Sequence, residues 1–187
     1  ARIVRLERPR RFGGDSGIAR LVRAIRLGDA AQVFASLSES GDIHWSEHAW
    51  RLDSAATRAA LRESWHGLGG TGSPHEALEN LGRYRILCAL RDGPRGVAGL
   101  NQAVASAVHG TQAAQMFVAG RPILITSNQH ALGLFNGDVG VLLAEHADAP
   151  LRAWFARRDG GVQALLPAQL PPHESAWAMT VHKAQGS

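Results

Sequence analysis

Apolar residues fall into two textures along this chain: helical spacing predominates before Gly120, and short β-type runs follow it. Ile18, Leu21, Val22 and Ile25 predict a short amphipathic helix, with Asp15 or Ser16 as its cap and Gly28 as its stop. Val33, Phe34, Leu37 and Ile43 predict a second short helix and a strand. Residues 47–65 predict a helix with Trp50, Leu61 and Trp65 inward and small Ser54 and Thr57 between them. Residues 84–90 read as a buried strand, 91–96 as the loop leaving it, and 97–108 as a helix carrying Asn101 and Gln102. Strand, glycine loop and helix make a βα unit, the building block of a parallel sheet.

After Gly120, residues 121–126, 140–144, 151–155 and 162–166 form four β-type runs, with turn signals at Asn136-Gly137-Asp138 and Arg158-Asp159-Gly160-Gly161. They predict a small β-barrel or meander, SH3-like or OB-like, inserted between the βα unit and a final strand. A segment this short is too small for an independent core and is expected to lean on its host. The final strand begins at Trp177, and residues 180–187 read as the polar turn at its C-terminal end. Ligands bind at that edge of open α/β sheets, and Arg91 faces the same edge if both strands share a sheet.

The chain has 187 residues, 45% of them hydrophobic, enough for one ordinary domain or two small ones. Its apolar runs, such as 122–125 and 139–144, fall far short of the roughly 20 residues a membrane span needs, so neither a span nor a membrane partner is expected. The Arg-rich start has no apolar core of a signal peptide, and the lone Cys88 reads as a reduced core thiol. A bacterial cytoplasmic setting is the expectation.

The charge balance is +4, and Lys183 is the single lysine beside the arginines. Arginine suits bidentate phosphate contact, which points to nucleic acid or nucleotide; Ala, Gly and Arg enrichment is equally what coding bias produces. In the loop 8–17, Arg10 or Arg11 and free N–H groups could converge on a phosphate, or the arginines could be a solvated cluster. His44 and His48 stand four apart but lack a third ligand, so no metal is predicted. Residues 67–74 (GLGGTGSP) lack a following Gly-Lys-Ser/Thr and read as a flexible turn, not a nucleotide loop.

Three segments carry a specific resemblance: 120–128 (GRPILITSN), 132–140 (LGLFNGDVG) and 177–187 (WAMTVHKAQGS). Together with 11–18 (RFGGDSGI) and 87–97 (LCALRDGPRGV), they closely resemble the C-terminal half of the RecD family, the alpha subunits of exodeoxyribonuclease V. Residues 29–82 add little to the match.

The resemblance implies an α/β chain of a superfamily 1 helicase that moves 5′ to 3′ on single-stranded DNA in double-strand break repair and recombination. It implies a RecA-like second motor domain (2A) at 1–117, an inserted SH3-like β-barrel (2B) at 118–175, and a return to 2A at 176–187. Arg11 falls on the arginine of the fourth helicase motif, which reaches the ATP γ-phosphate across the interdomain cleft and stabilises charge in phosphoryl transfer. Arg10 stands where the family usually has Tyr, so the aromatic contact is not carried over. Residues 177–187 resemble the fifth motif: Thr180 and His182 would contact the DNA backbone, and Gln185 and Gly186 would lie towards the nucleotide. Hydroxyl and imidazole donors suit phosphate oxygens, which position a strand without reading its bases. Lys183, Arg91 and Asn136 complete the expected DNA set.

ATP and Mg2+ are the cofactors the family implies for the intact protein, with single-stranded DNA, the N-terminal motor domain and the other two exodeoxyribonuclease V subunits as partners. No Gly-x-x-x-x-Gly-Lys-Ser/Thr loop or acidic magnesium motif occurs here, and the chain stops before the family's next acidic residue and its last arginine-bearing motif. A C-terminal fragment that binds neither cofactor alone and lacks ATPase activity is therefore the expectation. Two other classes stay open: a non-motor DNA- or subunit-binding module built on the β-insertion, and a plain RNA- or DNA-binding β-barrel. A Gly-Lys-Thr/Ser loop encoded upstream would favour the motor.

Overall fold

The computed structural model describes residues 15–46, 51–52, 54–70 and 72–184. The chain forms two compact units, Ala1–Trp50 and Arg51–Ser187.

In the first unit, α1 (Gly17–Leu27) packs on α2 (Ala30–Glu39). Ser16 caps α1, its hydroxyl accepting from the Ala19 N–H at 3.2 Å, and Gly28 ends it in the left-handed region at φ 69°. The apolar stripe is placed differently from expectation. Ile18 and Ile25 are exposed, Leu21 and Val22 half-buried, and the buried positions are the small Gly17, Ala19 and Ala24. Close approach explains this: a Cβ on Gly17 would stand 2.6 Å from Ser40 Oγ. The strand expected at Ile43 is absent; its N–H closes a turn onto the Ser40 carbonyl.

In the second unit, α3 (Ala55–Ser64) starts eight residues later than the sequence pattern suggested, because Ser54 is its N-cap and accepts from the Thr57 N–H at 3.0 Å. Glu47, His48 and Trp50 lie outside the described residues, whereas Leu61 and Trp65 are buried as expected. Next comes α4 (Pro74–Arg83), which begins Ser73-Pro74 with Glu76 in its first turn. The βα unit is present as β1 (Ile86–Cys88) and α5 (Val97–His109).

Five strands follow: β2 (Pro122–Ile125), β3 (Val139–Leu143), β4 (Arg152–Ala156), β5 (Val162–Leu165) and β6 (His173–Ser175). They form one antiparallel sheet in the order β5-β4-β3-β2-β6. The first four are the runs legible in the sequence, joined as a meander; β6 was not anticipated. Because side chains alternate along a strand, this sheet buries both faces. Val141, Leu143 and Trp154 face a core with Leu61, Trp65, Leu81, Val104 and Trp177. On the opposite face, Ile123, Ile125, Leu142, Ala153 and Phe155 pack with Leu134 and Leu165. The sheet thus leans on α3, α4 and α5, as its small size requires.

The chain then returns as β7 (Ala178–Thr180), which pairs with β1 in parallel, Cys88 opposite Thr180. The expected polar turn after Thr180 is instead a short helix, α6 (Val181–Ala184). Thr180 is the reason, since its hydroxyl accepts from the Lys183 N–H at 3.3 Å and starts a helical turn. Among the described residues, no helix is long and apolar enough to cross a membrane.

Candidate functional site

The parallel register of β1 and β7 fixes one edge of the second unit. With Ile86 opposite Ala178 and Cys88 opposite Thr180, both strands end on the same side. The loop bearing Arg91 and the α6 turn bearing His182 and Lys183 therefore emerge together.

Asn101 holds β7 in place from α5. Its side-chain amide donates to the Ala178 carbonyl at 3.1 Å and accepts from the Ala178 N–H at 3.0 Å, completing backbone pairing on the β7 edge that β1 leaves open. The residue lies on the same helical stripe as Val97, Leu100 and Val104, so a polar residue on an apolar face was the available signal.

The 91–96 loop is folded tightly onto α5. Gly93 sits at φ 87°, and a Cβ on Gly99 would come within 2.6 Å of its carbonyl oxygen. The first N–H groups of α5 are taken by this loop, Val97 donating to the Leu90 carbonyl and Ala98 to that of Arg91, each at 3.1 Å. These two helix-end amides are thus already paired within the loop. The α1 N-terminus is also occupied: the Asp42 carboxylate accepts from the Gly17 N–H at 2.9 and 3.1 Å.

Arg91 is exposed, as is His182; Thr180 and Lys183 are half-buried. One carboxylate sits between the two cations. Glu174 on β6 accepts from Lys183 Nζ at 2.7 Å through Oε1 and lies 3.6 Å from Arg91 NH2 through Oε2. Sequence reasoning missed Glu174, because a three-residue strand after two prolines offers no period to read.

Asn136 lies elsewhere, on the connection between β2 and β3, with its N–H donating to Asn128 Oδ1 at 2.8 Å. Beside it, the Arg158 guanidinium stands 5.3 Å from the centre of the Phe135 ring. Arg11, Gln185 and Gly186, the expected nucleotide contacts, lie outside the described residues, as does the basic loop up to Gly14.

Two further groups brace the site from within. Arg121 is buried, donating from NH1 to Ser175 Oγ at 3.0 Å and from NH2 to the Ala113 carbonyl at 2.7 Å, and burial pushes its pKa down. Cys88 is buried beneath Val97 and Ala178, which raises its pKa and keeps the thiol protonated.

No family model matches the chain. Curated proteins do. It is 35% identical over 194 residues to the RecBCD enzyme subunit RecD of Mycobacterium tuberculosis, covering the whole of this chain and 32% of that protein. The RecD subunit of Mycolicibacterium smegmatis is 35% identical over 192 residues, covering 99% of the chain, and that of Haemophilus influenzae 30% identical over 210 residues, covering 97%. The chain spans about a third of the length of these relatives. The resemblance read from separate motifs thus extends along the whole chain, residues 29–82 included, and its relatives are RecD subunits of RecBCD enzymes.

Proposed function

We propose that this chain is the part of an ATP-dependent 5′-to-3′ DNA helicase subunit that grips single-stranded DNA, within an exodeoxyribonuclease V-type complex of double-strand break repair and recombination. The observation that carries the reading is the parallel register of β1 and β7, which brings Arg91 and the Thr180–Lys183 turn to one edge in a chain similar throughout to RecD. Thr180 accepts the helix-capping bond through its oxygen, so its O–H remains available to a phosphate oxygen. His182 and Lys183 extend the same contact, and Asn136 adds a second point on the β2–β3 connection.

In this reading 1–117 and 176–187 form the RecA-like domain, and 118–175 the SH3-like insertion. Arg11 acts on the γ-phosphate, with Gln185 and Gly186 towards the nucleotide. ATP and Mg2+ would be held chiefly by the N-terminal motor domain, and the other two subunits would dock on the assembled protein. The 187 residues contain no phosphate-binding loop, so by themselves they turn over no ATP. A steady-state ATPase of this chain stimulated by single-stranded DNA and abolished by Arg11→Ala would contradict that.

The DNA assignment is tested by titrating a labelled single strand into the intact protein. Thr180→Ala with His182→Ala is expected to weaken binding roughly tenfold, about 1.4 kcal/mol. Unchanged affinity would remove these residues from the strand path. A second reading, a binding module on the β-sheet, rests on the Arg158–Phe135 stack beside Asn136. It is favoured if Phe135→Ala and Arg158→Ala abolish salt-dependent binding while the β7 variants do not.

A further inference from the structure

Glu174 is an acidic side chain set between two of the cations at this edge. It sits on β6, opposite Leu124 in the sheet, and reaches two other segments: Lys183 on α6, and Arg91 after β1. The Lys183 contact, at 2.7 Å with both side chains mostly covered, is the tighter of the two; Arg91 at 3.6 Å is largely exposed. A carboxylate facing an ammonium on one oxygen and a guanidinium on the other occupies the kind of position that a phosphate with two free oxygens takes.

We propose that Glu174 is a built-in competitor for the DNA phosphate. With no strand bound it holds Lys183 and Arg91 by charge. When a strand arrives, a phosphate oxygen takes over one or both cations and the carboxylate is displaced into solvent. This deepens the DNA reading and rests on the assignment of Arg91 and Lys183 to the strand. It also gives the sheet a way to sense occupancy, because Glu174 is flanked on β6 by His173, against the Phe117 ring, and by Ser175, bonded to Arg121. Release of the carboxylate removes the side-chain ties from β6 to Lys183 and Arg91, so that the β2 ladder and the Arg121 bond hold β6 against opening with less support.

Two predictions separate this role from a structural brace. First, Glu174→Gln, which keeps the size of the side chain and loses its charge, should tighten single-strand binding about threefold to tenfold at low salt, from the strength of partly exposed ion pairs. A brace predicts no change or weaker binding. Second, hydrogen exchange at residues 173–175 should rise when an oligonucleotide is added to the wild-type intact protein, whereas a brace predicts unchanged or lower exchange.

The deciding experiment repeats Glu174→Gln in a Lys183→Ala, Arg91→Ala background, with thermal melts to check that each variant is folded. Fluorescence anisotropy of a labelled oligonucleotide is expected to show the tightening with both cations present and none without them. Equal tightening in both backgrounds would overturn the proposal, because loss of any negative charge would then suffice. If Lys183→Ala with Arg91→Ala binds as wild type does, the assignment of these two residues to DNA fails, and the competitor role falls with it. If that pair weakens binding while Glu174→Gln changes nothing, the DNA reading stands and the competitor role alone is refuted.

Discussion

Arg121 lies inside the molecule with its charge facing neutral oxygens, from Ala113 and Ser175, while its Nε is buried without a hydrogen-bond partner. Truncating it unties residue 113 from β6, so Arg121→Ala should lower unfolding stability by about 1–3 kcal/mol, read by urea titration. Arg121→Lys should recover little of this, since an ammonium cannot span both acceptors as the planar fork does. The same charge acts on His109, which stands 5.6 Å from the Trp177 ring. Burial first, and then the Arg121 charge, lower the His109 pKa in the folded protein. The unfolded chain therefore takes up a proton more readily than the folded one. The stability contributed by neutral His109 is complete above the unfolded pKa, near 6.5, and is lost as pH falls from there towards the lowered folded value. Melting temperature is expected to drop from pH 7 to pH 5, with a shallower drop in His109→Gln; parallel profiles would assign the drop to other groups.

At the scale of elements, one amide ties α5 to β7 by hydrogen bonds, beside the packing of Val97 and Leu100 with Ala178. Asn101→Ala leaves both backbone groups of the fully buried Ala178 without their side-chain partners, at a cost of roughly 1–3 kcal/mol for each unsatisfied group. Asn101→Asp should be nearly as damaging, because a carboxylate accepts from the N–H but repels the carbonyl. If either variant melts as wild type does, water is replacing the amide. The elements legible in the sequence were those with a long enough period. Residues 97–108 keep an apolar stripe over three turns, and the runs 121–126, 140–144, 151–155 and 162–166 are continuous enough to announce β2 to β5. By contrast β6 and α6 span three and four residues, where no period exists, and tertiary partners decide their form. The starts of α3 and α4 escape the sequence pattern, which sets Ser54 within a longer helix and gives 67–74 only as a turn, although the Ser54 cap and Pro74 in a first turn are helix-start signals. The edge of the site was legible through Arg91 and Thr180; Glu174 was not, because its importance comes from a pairing across the fold.

On the scale of the whole molecule, the buried tryptophans join the sheet to the helices. Trp177 is fully buried, edge-on to Trp65 at 5.2 Å, in the core that also takes Val141 and Trp154 from the sheet. Trp177→Ala should cost about 3–5 kcal/mol, and because this core is shared it should lower the melting transition of sheet and helices together. Separate transitions would mean that residues 118–175 fold alone. The motor reading makes its own demand at this scale: in the intact protein, Arg11→Ala should reduce kcat for ATP more than roughly tenfold and leave DNA affinity nearly unchanged. Equal loss of both would mean that Arg11 serves the strand rather than the nucleotide.

The pairing of β1 with β7 also governs the order in which the chain assembles. Its two strands come from residues 86–88 and 178–180, with the entire antiparallel sheet between them in sequence. Hairpins such as β3–β4 close short loops, whereas this pair must bring distant segments together, and such contacts form late. In pulse-labelled refolding the amides of β3 and β4 are expected to gain protection before that of Ile86, which donates to the Trp177 carbonyl. During synthesis, the edge that carries Arg91 and Thr180 is then completed last, after the sheet against which it is built.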